Sequence, residues 1–332
     1  MLKHTLTGCA LLVAASFSQA VEAPKVPIHL PTPKAGQYVH QAPTLADLEA
    51  SNLHPELKAV IRRGYDLFMN TQQLRGRHVF NEMSCKSCHM GEGRKLWSGP
   101  IWPAATTLPD YRGKNQHVNS LEERIAGCFS FSMNGTPPAY GSDDMLALTA
   151  YHQWLAKSAP VYEKNLAGRG FSDLEKPAQT PDYQRGQAVY AQACALCHGA
   201  DGQGQKVAGK VVYPPLWGDY SYNWGAGMTR IFTSATFIHR NMPLSQPGRL
   251  SVQEAWDVAL YINSQERPQD PRYTGDAQET RQKYFNFHKH TRYGTEHEGR
   301  ILGQHSNTGE KPFLKPEVLR PRTFNATPTP DA

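Results

Sequence analysis

Cys85-Lys86-Ser87-Cys88-His89 and Cys194-Ala195-Leu196-Cys197-His198 are two copies of the pattern C-x-x-C-H. This spacing is the attachment pattern for a c-type haem. Two thiols add across the two vinyl groups of one porphyrin, and the adjacent His reaches the iron from the same side. One match can be chance or a redox dithiol; two in one chain point to two covalently bound haem c groups. The attaching residues are then Cys85, Cys88, Cys194 and Cys197, and the iron ligands His89 and His198. The chain has 332 residues and six cysteines. Cys9 falls in a leader, which leaves Cys128 as the one cysteine with no thioether to make. An odd cysteine argues against a disulfide scaffold.

Each haem motif sits in a repeated setting. Gly76-Arg77-His78-Val79-Phe80 precedes the first and Gly186-Gln187-Ala188-Val189-Tyr190 the second. Both read as a helix with a glycine and an aromatic residue one turn apart on one face. Each copy also has a later helix. Ser142 caps one through about Lys157, with Met145, Leu148, His152 and Leu155 at helical spacing. Ser251 and Glu254 form a capping box for another through about Gln265, whose Trp256 and Tyr261 read as core packing. The pattern resembles the class I cytochrome c domain, so the expected fold is all-α, with two such domains in tandem. Domain 1 spans 46–160 and domain 2 spans 181–270. Residues 161–180, within a Gly-, Pro- and Lys-rich stretch from Ala159 to Pro181, read as a linker. Residues 21–45 carry five prolines and should be extended. Residues 271–332 show no sustained period but are too aromatic for a plain solvated tail.

The first twenty residues read as a secretory signal peptide: Lys3 and His4, an apolar run from Leu6 to Phe17, and Ser18-Gln19-Ala20 at the cleavage site. The expected location is the periplasm. No run of 18 apolar residues suggests a membrane span. The formal charge of +6 falls by the one charge of Lys3, and it lacks the concentrated basic face of a nucleic-acid binder.

The sixth iron ligands decide the function. Met242, in Asn241-Met242-Pro243, follows His198 by 44 residues and precedes the Ser251 helix. It is the favoured ligand of the second haem, with His239 and Met228 as rivals. At the first haem, Met133 stands at the same offset from His89, but Cys128 lies five residues before it. Spacing alone favours Met133. A lone Cys is either a small buried hydrophobe or a thiolate on iron, and the residues leave the choice open.

Tyr111-Arg112, Asn119-Ser120-Leu121-Glu122-Glu123-Arg124-Ile125, Cys128-Phe129 and Ser132-Met133-Asn134-Gly135 resemble the first domain of the dihaem thiosulfate dehydrogenase and tetrathionate reductase family. Pro214-Pro215-Leu216-Trp217-Gly218, Gly225-Ala226-Gly227-Met228 and Phe237-Ile238 with Asn241-Met242-Pro243 resemble its second. The likeness runs through about residues 60–270. It implies that Cys128 is the distal ligand of the catalytic haem and that two thiosulfates are joined to tetrathionate, in some members reversibly. Electrons would pass from the His/Cys haem to the His/Met haem, then to a soluble cytochrome c or similar acceptor. Some members carry a Lys beside the second-haem Met, where this chain has Asn241.

Joining two dianions needs fixed cations and donors. Arg112, Lys114 and Arg94 are the candidate substrate cations, Ser132 a candidate donor one turn from Cys128, and Arg124 reads as a propionate or structural partner. Two rival readings remain. One is the thiosulfotransferase cytochrome subunit of the Sox sulfur-oxidation complex, similar at Gly141-Ser142-Asp143-Asp144. The other is a non-catalytic dihaem electron carrier with two His/Met haems.

Overall fold

The computed structural model describes residues 33–113, 117–171, 173–285 and 290–310. The signal peptide, residues 21–32 of the Pro-rich segment, Lys114 and the end of the tail lie outside them. Helices dominate, joined by three two-stranded antiparallel hairpins that the all-α expectation did not include.

The first half runs α1 (Leu45–Ala50), α2 (Pro55–Met69), a 3-10 turn at Cys85–Ser87, α3 (Trp102–Thr107), the hairpin β1 (Asp110–Arg112) with β2 (His117–Asn119), α4 (Leu121–Gly127) and α5 (Asp143–Leu155). The second half runs α6 (Tyr183–Ala193), α7 (Ala195–His198), the hairpin β3 (Gln205–Val207) with β4 (Lys210–Tyr213), α8 (Ile231–Asn241) and α9 (Val252–Ile262). Then come α10 (Ala277–Tyr284) and the short hairpin β5 (Glu296–His297) with β6 (Arg300–Ile301). The side chains foreseen as caps do cap: Ser142 accepts from Met145 N, and Ser251 with Glu254 closes a capping box.

The two halves repeat one packing. Helix α2 crosses α5 and α6 crosses α9, each at a glycine. A Cβ added to Gly64 would lie 2.0 Å from the Ala147 carbonyl oxygen and 2.8 Å from Tyr151 Cβ. One added to Gly186 would lie 2.1 Å from the Asp257 carbonyl oxygen and 2.9 Å from Tyr261 Cβ. The glycine is needed because two backbones touch.

This corrects the reading of Gly76-Arg77-His78-Val79-Phe80 as the first domain's helix. That segment is a turn: Gly76 has φ +79° and its N–H donates to Val79 O at 3.0 Å. The true counterpart of Gly186 and Tyr190 is Gly64 and Phe68 on α2, separated from the haem motif by an insertion with its own 3-10 turn, Thr71–Leu74. The stretch 161–180 is more than a spacer. Leu166 and Ala167 are buried, and Trp97 N and Gly99 N donate to Gly168 O and Gly170 O at 2.9 and 2.8 Å. The linker therefore straps the loop that follows the first haem motif.

The tail folds back. Trp224, Ala277, Phe285, Tyr293 and Leu302 form a small core. It also ties to the first half, through Arg75 to Glu310 at 2.5 Å and Asn134 Nδ2 to Thr308 O at 2.9 Å.

Gly186→Ala should lower stability by about 1–3 kcal/mol, because the helices must part to admit the methyl group. An unobstructed Gly-to-Ala change inside a helix gains roughly 0.5–1 kcal/mol instead. Denaturant unfolding of the variant reads the sign, and an unchanged or raised midpoint would disprove the close crossing.

Candidate haem pockets and the Cys128 site

Two pockets open where the haem motifs lie. The first is lined by Cys85, Cys88, His89, Cys128, Ser132 and Met133, with Phe68, Phe129, Leu148 and His152 among its apolar walls. The second, larger pocket, of about 1060 Å3, is lined by Cys194, Cys197, His198 and Met242, and extends to the rim of the first.

The residues present fit haem c. His89 Nδ1 is hydrogen-bonded to the Gly99 carbonyl and His198 Nδ1 to the Pro214 carbonyl, the latter at 2.9 Å. Each bond fixes the ring with Nδ1 as donor and leaves Nε2 free for a metal. Burial pushes the Cys85, Cys88 and Cys194 thiols up to about 12, which disfavours the thiolate form that a zinc site needs. Among the described residues no cluster of three or more His, Cys, Asp or Glu side chains suits a bare metal ion.

Cys128 behaves differently. Burial alone would raise its pKa, but the Arg124 guanidinium and the facing His89 imidazole more than offset it and bring the thiol down to about 6. Arg124 Nη1 donates to Cys128 Sγ at 3.0 Å. Helix α4 places the two one turn apart, with Ser120 capping its start by accepting from Glu123 N at 3.2 Å. At Cys128 the helix widens into a π-helical turn, Cys128–Ser132, closed by Met133 N donating to Cys128 O at 3.0 Å. Such single π turns concentrate at functional sites. The wide turn lets Cys128, Ser132 and Met133 all line the pocket. Met133 is also packed into the core, its carbonyl accepting from Phe80 N at 3.1 Å.

The other sequence candidates separate. Arg112, on β1, lies within the electrostatic reach of Arg124 and Cys128, and burial lowers its pKa. Arg94 pairs with Glu92 at 3.1 Å and does not line the pocket; the ion pair and the short loop that carries both residues keep it beside Tyr65. Lys114 is outside the described residues. Met242 ends α8 against the second pocket, and Met228 lines both pockets, with Met83, Cys88 and Tyr222. His239 is half-buried, with an unpartnered buried Nδ1. Sequence reasoning took His152 as a helix-stripe residue; it lines the first pocket, and burial lowers its pKa to about 4.

Asn241, beside Met242, is fully buried. Its Oδ1 accepts from Lys95 Nζ at 2.9 Å and Ser98 Oγ at 2.8 Å, both from the first half, and its Nδ2 donates to Phe237 O at 3.0 Å. No spacing in the sequence announces this junction.

The cytochrome c domain family described as SoxA/TsdA matches residues 73–161, and that of cbb3-type cytochrome c oxidase subunit III matches residues 181–262. The chain is 44% identical over 301 residues to the thiosulfate dehydrogenase of Thiomonas intermedia (strain K12), spanning 90% of this chain and 95% of that one. It is 48% identical over 271 residues to the thiosulfate dehydrogenase of Stutzerimonas stutzeri (strain A1501), spanning 81% and 87%. The chain belongs to the thiosulfate dehydrogenase family. Among solved structures, the thiosulfate dehydrogenase TsdBA of Marichromatium purpuratum, in its as-isolated form, superposes with a TM-score of 0.74 at 44% identity. The match covers 81% of this chain and 58% of that longer one. Cytochrome c domains bind haem c, and this thiosulfate dehydrogenase family member places its two C-x-x-C-H motifs in two pockets of matching donor chemistry. Among the described residues no helix is long and apolar enough to cross a membrane.

Replacing Asn241 by Ala strands the Lys95 ammonium and the Ser98 hydroxyl in a half-buried junction. We expect a loss of about 1–3 kcal/mol, the cost of one unsatisfied buried group. A thermal-unfolding midpoint equal to that of the wild type would mean the junction contributes nothing net.

Proposed function

We propose that the chain is a thiosulfate dehydrogenase that joins two thiosulfates into tetrathionate at Cys128. Two haem c groups would be held, one by Cys85, Cys88, His89 and Cys128, the other by Cys194, Cys197, His198 and Met242. The haems supply acceptors for two electrons. The observation that carries this reading is the Cys128 sulfur, drawn toward its thiolate form between Arg124 and His89 in a pocket that also holds Ser132.

The chain's own residues have definable tasks. Two dianions repel, so the site must supply positive charge before their sulfurs can meet. Arg124 and Arg112 provide it on the domain 1 side, and fixed cations of this kind cost no reorganisation during the reaction. Ser132 Oγ, on the pocket wall, can donate to a sulfonate oxygen and help align the sulfane sulfur with Cys128. The overall change balances without protons: one S–S bond forms and two electrons leave. Met83, Cys88, Tyr222 and Met228 border both pockets and support a short path from one to the other. The final acceptor is a soluble cytochrome c or similar carrier, and the signal-like first twenty residues support a periplasmic site. A plain His/Met carrier would give no reason for a lowered thiol among arginines.

Cys128→Met should keep both haems attached but reduce thiosulfate-dependent dye reduction at least about 100-fold, the scale of losing a catalytic group. Near-infrared or electron-spin spectra should shift from a thiolate to a thioether signature. Full activity in the variant would refute the role given to Cys128.

A further inference from the structure

We propose that Asn81 and Asn223 are positioning residues of the Cys128 site: their buried side-chain amides hold the π-helical turn in the shape that aims Cys128 and Ser132 into the first pocket. This rests on the function proposed above and adds to it two residues that neither the C-x-x-C-H motifs nor helical periodicity single out.

The need arises in the backbone of the turn. Met133 N donates to Cys128 O at 3.0 Å and Gly135 N to Phe129 O at 2.8 Å. The next three carbonyls, of Ser130, Phe131 and Ser132, stand at the end of the helical run, where a helix offers no regular partner. Phe131 O receives a long contact of 3.4 Å from Asn134 N. Ser130, Met133 and Asn134 are buried, so water is a poor substitute there.

Two asparagines supply the missing donors. Asn81 Nδ2 donates to Ser132 O at 2.8 Å. Asn223 Nδ2 donates to Ser130 O at 2.9 Å, and its backbone N–H to Phe131 O at 3.2 Å. Both side chains are fully buried, and each amide is committed on all sides. Asn81 Nδ2 also donates to Ser221 O at 3.0 Å, while its Oδ1 accepts from Met83 N at 3.1 Å. Asn223 Nδ2 also donates to Asn134 Oδ1 at 3.0 Å, while its Oδ1 accepts from Gly225 N at 3.1 Å. An amide with both donors and its acceptor engaged cannot turn without breaking bonds. It therefore fixes the direction of each carbonyl as well as its distance.

The two residues register the turn against the other walls of the pocket. Asn81 lies just ahead of Met83, Ser84 and Cys85, which line it, and leads straight into the first haem motif. Asn223 lies in the segment that brings Tyr222, Ala226 and Met228 to the same pocket. The bond from Asn81 to Ser221 ties these two segments to each other. Asn134 extends the network to the tail by donating to Thr308 O at 2.9 Å. Cys128 and Ser132 are the first and last residues of the turn held in this way. A shift of the turn moves sulfur and hydroxyl together relative to His89, and a misplacement of about 1 Å costs on the order of 100-fold in rate.

The test uses the holoenzyme, with Asn81→Asp, Asn223→Asp and Asn223→Ala. Asp keeps the shape and the acceptor but lacks the amide donors; Ala removes the group. Each variant should keep both haems and lower kcat at least about tenfold, with the thiosulfate KM within about threefold of the wild type, the pattern of misplacement rather than lost binding. The thiolate signature in near-infrared or electron-spin spectra should fall at least about twofold, because one buried hydrogen bond outweighs thermal energy. Gly186→Ala, strained at the helix crossing of the other domain, is the control for general destabilisation and should keep the wild-type signature. Should Asn223→Ala fail to fold, the two Asp variants carry the test. The proposal is overturned if the asparagine variants keep the wild-type signature and kcat. It is also overturned if Gly186→Ala, at a matched loss of unfolding midpoint, changes both as much. A wild-type protein with no thiolate signature, or a Cys128→Met protein that retains one, would sink the functional reading itself, before any asparagine variant is compared.

Discussion

A sulfur atom held near its charged form inside an apolar pocket is the constraint on which the rest of this structure depends. Burial opposes the charge on Cys128, so cations must be fixed around it. Arg124 is fixed by lying one helical turn away, its guanidinium 3.0 Å from the sulfur. His89 is fixed by the Gly99 carbonyl, whose loop is in turn strapped by Gly168 and Gly170 of the linker. Each element around the pocket can be read as holding one of these groups in place.

The π-helical turn is the local device that makes this possible. A regular helix continuing from α4 would keep its 3.6-residue period through Cys128. Widening the turn brings Cys128, Ser132 and Met133 to one wall. Such a turn is unstable by itself and is gripped from outside: Asn223 bonds two of its carbonyls, Gly225 admits Phe131, and Arg272 covers that ring. The second domain and the tail therefore complete the first domain's site as well as forming their own.

The same interdependence appears on the other side of the junction. Lys95 and Ser98, a few residues past the first haem motif, meet Asn241 beside Met242. The wall residues Met83, Cys88, Tyr222 and Met228 belong to both pockets. The tandem cytochrome c domains in this family member are fused at the pockets that hold their C-x-x-C-H motifs.

Much of this was legible in the residues. Haem attachment is a local covalent requirement, so Cys85, Cys88 and His89, and Cys194, Cys197 and His198, announce themselves by spacing. Caps such as Ser142 and Ser251 are equally local. The helix crossing was not: Gly76 stands before the first motif much as Gly186 stands before the second, but the backbone contact belongs to Gly64, because a glycine's packing role is set by what crosses it. The hairpins and the displacement of Arg94 into a pair with Glu92 were likewise invisible, whereas the aromatic content of residues 271–332 had already argued against a solvated tail. The sequence by itself determined where the two C-x-x-C-H motifs lie and which cysteine was left over. Only the tertiary structure decided what holds that cysteine in place, since Asn223 and Gly225, which grip the turn that carries it, lie about a hundred residues away along the chain and meet it only through long-range packing.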